Sequence, residues 1–71
     1  MQNDIINYIN DELKHKDKVV VCLIEEKGFT ENVVKDIVLS FLDTSYIVEM
    51  DKQANFYLLM VERKPLLVTN N

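Results

Sequence analysis

Four groupings in the sequence have residue types that chemistry uses: Glu12 with His15, Cys22 alone, the adjacent pair Glu25 and Glu26, and the aromatic pair Phe56 and Tyr57. Glu12-Leu13-Lys14-His15 has the E-x-x-H spacing found in carboxylate-bridged di-metal helices. Such centres need two of these pairs plus carboxylates from neighbouring helices, and His15 is the only histidine. The segment therefore reads as a solvated helix end. Cys22 is the only cysteine and has no histidine beside it in sequence to act as its base. Within an apolar run its thiol is expected to be buried and to pack as a small hydrophobe. Glu25 and Glu26, at the end of that run, are expected to point apart and to share no proton. A single glycine, Gly28, cannot build a phosphate cradle. Phe56 and Tyr57 lack the basic and glycine residues of a base-stacking sheet, so they read as core. No catalytic residue, metal site or cofactor is expected.

The carboxylates are the remaining candidates. Asp and Glu number 12 against eight Lys and Arg, for a net charge of -4. The surplus sits in the middle of the chain, where Glu25, Glu26, Glu31, Asp36, Asp43, Glu49 and Asp51 face only Lys27 and Lys35. Asp4 and Asp11 are seven positions apart, about 10 Å along one side of a helix. Asp36 and Asp43 repeat that spacing. Glu49 and Asp51 fall on one face of a strand about 7 Å apart, near two 3.4 Å steps of a nucleic-acid strand. With Glu12 they make a set of regularly placed charges. Such a set either keeps a small protein soluble or imitates the phosphates of DNA. An acidic surface opposes direct contact with a phosphate backbone and suits a basic protein partner.

These residues need elements to position them. Asn3 as cap, Asp4 in the first turn and the stripe Ile5, Ile6, Ile9 and Leu13 predict a helix over about residues 3–15. Residues 19–24 are rich in β-branched types and predict a buried strand. Gly28 marks a turn. Thr30 is the expected cap of a second helix running to about Asp43, with Phe29 stapled on Val34. Its apolar face is broad (Val33, Val34, Ile37, Val38, Phe41 and Leu42), and Leu39 interrupts its polar side. Tyr46–Asp51 alternates in polarity, as an edge strand does. Lys52-Gln53-Ala54-Asn55 is the expected hairpin loop. Phe56-Tyr57-Leu58-Leu59-Met60-Val61 has no polar side, so both of its faces are expected to be buried, with Pro65 ending the strand. The order is α-β-α-β-β. It predicts an α+β fold with a three-stranded sheet in the order 1-3-2, the third strand central, and both helices on one face. The first strand is apolar enough to take the centre instead.

Seventy-one residues are expected to form one compact domain, residues 1–71, burying only about 60% of the unfolded surface or a little more. A lone cysteine fits a reducing cytosol. No run approaches the length of a membrane span, and no basic region followed by an apolar stretch suggests a signal peptide. Leu39, Leu66, Leu67 and Val68 are apolar where solvent is expected, which suits pairing of two copies.

Lys far outnumbers Arg, and Asn and Ile are frequent, the codon bias of an AT-rich genome. In size, acidity and this composition the chain resembles the small host-takeover proteins of bacteriophages that infect low-GC bacteria. The resemblance covers general character, rests on no motif and transfers no residue. It implies a non-enzymatic inhibitor, in the cytoplasm of the bacterial host, that occupies the DNA-binding surface of a basic protein such as a histone-like nucleoid protein. The partner-binding residues are then expected among Asp4, Asp11, Glu12, Glu25, Glu26, Glu31, Asp36, Asp43, Glu49 and Asp51. The alternative is a small homodimeric structural or regulatory module without DNA mimicry, paired through Leu39 and Leu66–Val68.

Overall fold

A computed structural model describes residues 2–43 and 45–65 of the chain. The elements follow as α1 (Gln2–Glu12), β1 (Lys18–Ile24), a 3-10 turn (Glu25–Lys27), α2 (Glu31–Leu39), β2 (Tyr46–Lys52) and β3 (Phe56–Arg63). The sheet order is β1-β3-β2, and β3 is antiparallel to both neighbours. The fold is α+β with β3 central. Leu66, Leu67 and Val68 lie outside the described residues.

The central strand uses its backbone on both sides. Leu59 pairs with Val21 of β1 and with Met50 of β2; Val61 pairs with Val19 and Val48. Its inward side chains Tyr57, Leu59 and Val61 are fully buried, as is Leu23 of β1, and Val19 is buried beside them. Both helices cover this one face, with Ile9 and Leu13 from the α1 side and Val34 and Ile37 from α2. Phe41 joins the core and meets Tyr46 edge to face at 5.7 Å, the arrangement that aligns a ring edge with a neighbouring π face.

Local structure departs from expectation at several places. α1 begins at Gln2, so Asn3 lies within the helix and is not its cap. Its last turns continue beyond Glu12, where the Leu13 amide donates to the Ile9 carbonyl at 2.9 Å and the Lys16 amide to Glu12 at 2.9 Å. Thr30 does occupy the cap position of α2, but its side chain makes no capping hydrogen bond. Its carbonyl accepts from Val34 instead, and Phe29 packs on the core that holds Val34. α2 stops at Leu39, four residues short of Asp43. Ser40 donates its amide and, through Oγ at 3.2 Å, its hydroxyl to the Asp36 carbonyl. That serine-to-carbonyl bond offers the backbone an alternative to continued helix. Phe41 turns inward while Leu42, expected on the same apolar face, stays exposed. Gly28 sits at φ 100°, where a Cβ clashes, and its amide donates to Glu25.

The larger departure concerns the second face of β3. Both faces were expected to be buried, but Phe56, Leu58 and Met60 point away from the helices, and Leu58 is 37% exposed. Two short helices suffice for one layer, and the described residues contain no third element to cover the other side. Cys22, opposite Leu58 in register, is likewise exposed and not buried. On the covered side, the Tyr57 hydroxyl is buried without a hydrogen-bond partner among the described residues.

These placements separate neighbouring residues of one strand. Leu59→Ala leaves a cavity in a fully buried site and should cost about 2–5 kcal/mol. Leu58→Ala, half in water, should cost under about 1.5 kcal/mol. Tyr57→Phe removes an unpaired buried hydroxyl and should be neutral or stabilise by up to about 1–2 kcal/mol. Urea titrations of the three variants read this order directly; equal losses at positions 58 and 59 contradict the one-sided core.

Candidate functional site

The local backbone decides which carboxylates are already satisfied. On α1, Asp11 pairs with Lys14 at 3.4 Å, and Glu12 pairs with Lys16 at 2.8 Å. The hydrogen bond and charge of Glu12 hold the Lys16 ammonium above its ordinary pKa. Glu12 is thus engaged by Lys16 rather than arranged with His15. On α2, Glu31 pairs with Lys35 at 2.9 Å. That hydrogen bond and its charge lower the Glu31 carboxyl and raise Lys35. All three are one-turn contacts that helical spacing brings together. Asp17 pairs with Arg63 at 3.6 Å across the sheet end, where the Arg63 amide also donates to the Asp17 carbonyl. All of these pairs are at the surface, where a single ion pair contributes little.

The remaining carboxylates are Asp4, Glu25, Glu26, Asp36, Asp43, Glu49, Asp51 and Glu62, none of them in an ion pair among the described residues. The structure distributes them over the helices, the 3-10 turn, the segment after α2 and the sheet. Asp4 and Asp36 lie exposed on the two helices. Glu25 and Glu26 lie in the 3-10 turn rather than at an extended strand end, so their side chains follow turn geometry. This turn is tied to the hairpin by the Glu25 amide, which donates to the Asn55 carbonyl at 3.0 Å. Asp43 has left the helix, and its Oδ1 accepts from the Ser45 amide at 2.5 Å. The seven-residue spacing of Asp36 and Asp43 therefore sets no shared helical side.

Glu49 and Asp51 are brought together as their alternation predicts. Antiparallel partners share a face, and these residues oppose Met60 and Leu58. They project on the uncovered side of the sheet, away from the layer that carries Asp36. Gln53 Nε2 donates to Asp51 Oδ2 at 2.6 Å. Around them the same face presents Val20, Cys22 and Ile24 from β1, and Phe56, Leu58 and Met60 from β3. A shallow concavity of about 500 Å³ is lined by Val20, Glu49, Met50, Asp51, Leu58 and Met60. Among the described residues of the three strands, only Lys18, opposite Glu62 at one end, brings a cation to this side. The apolar part of this surface was missed in the sequence because an unbroken apolar run marks no outer side.

Among the described residues, no group of three or more His, Cys, Asp or Glu is placed to hold a metal ion. No helix among them is long and apolar enough to cross a membrane. Comparison with protein-family models, curated proteins and solved structures finds no match to this chain.

The Glu31–Lys35 pair has a pH signature. A carboxyl lowered in the folded state contributes stability above its unfolded pKa of about 4.3 and loses it as pH falls through the lowered value. Glu31→Gln should therefore be slightly less stable than the parent at pH 7 and equally stable near pH 3. Urea midpoints at the two pH values check this. A difference that persists at pH 3 assigns the effect to something other than the carboxylate charge.

Proposed function

We propose that this chain is a non-enzymatic protein-binding inhibitor whose acidic surface occupies the nucleic-acid-binding face of a basic partner protein. The observation that carries this reading is the charge balance after pairing. Four carboxylates and four cations neutralise each other locally, leaving eight carboxylates against Lys18, Lys27, Lys52 and Lys64 among the described residues. Lys52 is further occupied at 5.8 Å over the Tyr57 ring. A surplus of this sign steers a basic surface into contact and repels nucleic acid. The general likeness to phage host-takeover proteins points the same way.

The test is a DNA-displacement titration against basic nucleic-acid-binding proteins such as histone-like nucleoid proteins. The wild type should displace DNA, and displacement should weaken as salt rises, because exposed charges are screened over about 8–10 Å near physiological ionic strength. A variant carrying Asp36→Lys, Asp43→Lys, Glu49→Lys and Asp51→Lys should fold by circular dichroism and fail to displace. Equal displacement by both proteins excludes charge mimicry.

A second reading, self-association, is favoured by one observation on α2. Leu39 is 63% exposed and Leu42 58% exposed, joined by one turn in which the Leu42 amide donates to the Leu39 carbonyl. Light scattering should then report a dimer at micromolar concentration, and Leu39→Glu should return it to a monomer. A wild-type monomer at high concentration excludes this reading.

A further inference from the structure

We propose that the uncovered sheet face docks one amphipathic α-helix of a partner protein, its apolar stripe on Val20, Leu58 and Met60 and its Lys or Arg residues over Glu49 and Asp51. This rests on the reading of the chain as a binder of basic proteins and names the surface that takes them.

The face has the dimensions of a helix. Strands lie about 4.8 Å apart, so β1 and β2 are separated by about 10 Å across β3. A helix with its side chains is about 10–12 Å thick. The six-residue step from Phe56 to Glu62 spans about 20 Å, which matches about 13 helical residues. The face is apolar along most of β1 and β3, and β2 brings Ile47, Glu49 and Asp51 to it, so it asks for a ligand that is apolar on one stripe and basic on one flank. Added strands would use the backbone edges of β1 or β2 and leave this face open.

Charge selects among the occupants. Glu49, Asp51 and Glu62 lie on this side, and Lys18 opposes Glu62 in register. A second copy would bring the same acid surplus to meet its own kind. Residues 66–71 of the chain itself (Leu-Leu-Val-Thr-Asn-Asn) carry no basic side chain for Glu49 and Asp51. Covering a carboxylate without a counter-charge is unfavourable. A basic amphipathic helix meets both demands.

Cys22 supplies the reporter, because it is exposed on this face opposite Leu58. The probe is a synthetic peptide of about 14 residues with leucines at helical spacing and lysines along one flank; its control carries glutamates in place of the lysines. A chromogenic disulfide reagent should modify Cys22 rapidly in the full-length protein. Saturation with the lysine peptide should slow that reaction at least about ten-fold, as occupancy of nine molecules in ten requires. The glutamate peptide should leave the rate unchanged. Leu58→Asn, or the milder Val20→Thr, should weaken protection, and so should Glu49→Lys with Asp51→Lys, each folded by circular dichroism. Full reactivity at saturating lysine peptide overturns the proposal, as does protection that none of these variants alters. Slow modification of the free protein also overturns it: rescue by dilution assigns the face to a second copy, and rescue by deleting residues 66–71 assigns it to the chain's own end. The peptide assay contains no nucleic-acid-binding protein, so its failure is distinct from failure of the DNA-displacement reading.

Discussion

The burial of Tyr57, Leu59 and Val61 beneath the two helices is the interaction on which the structure depends. These three side chains come from one strand at alternate positions, so their common direction is a property of the strand itself. Pairing with β1 and β2 on either side occupies the backbone of that strand and fixes the register of both neighbours. Val19 and Leu23 are thereby aligned with the same layer, and the apolar stripes of α1 and α2 close over it. In a chain this small the fraction of surface that can be buried is low, so this single layer carries the stability.

The same economy leaves the other face of β3 open. A strand with six apolar residues in succession offers two apolar faces, and two helices of 11 and nine residues cover one. What remains is apolar along most of β1 and β3, with Glu49 and Asp51 beside Ile47 on β2. On this face Glu49 and Asp51, free of ion pairs among the described residues, adjoin a concavity. Asp11, Glu12 and Glu31 pair within a helical turn, and Asp17 pairs with Arg63 across the sheet end. The sheet thus presents an open, partly apolar face beside Glu49 and Asp51.

Much of the architecture was legible in the sequence. Period-3.6 stripes at Ile5, Ile6, Ile9 and Leu13, and at Val34 and Ile37, identified both helices. The absence of any polar position in residues 56–61 favoured that strand for the place between the other two, which the apolar run at 19–24 also permitted for the first strand. Alternation in Tyr46–Asp51 set Glu49 and Asp51 side by side. These features are local, or follow from the need to hide apolar surface, and such information is carried by residue type and spacing. The helix ends were less legible. Asn3 and Thr30 have capping side chains that the backbone does not use, and Ser40 bonds back to Asp36 where the pattern of apolar residues continues to Leu42.

The sequence by itself therefore determined the order of elements, the α+β class and the acid surplus, because each depends on periodicity or composition, while the structure chose between two equally apolar strands for the centre. Tertiary structure decided which face of β3 is covered, because an all-apolar strand has no polar side to mark its exterior. It also decided that Cys22 and Leu58 meet water, and that Glu49 and Asp51 adjoin an apolar platform remote from the acids of the helices. Those outcomes rest on how many helices the chain supplies and on which side they pack, a balance of layers that no single segment encodes.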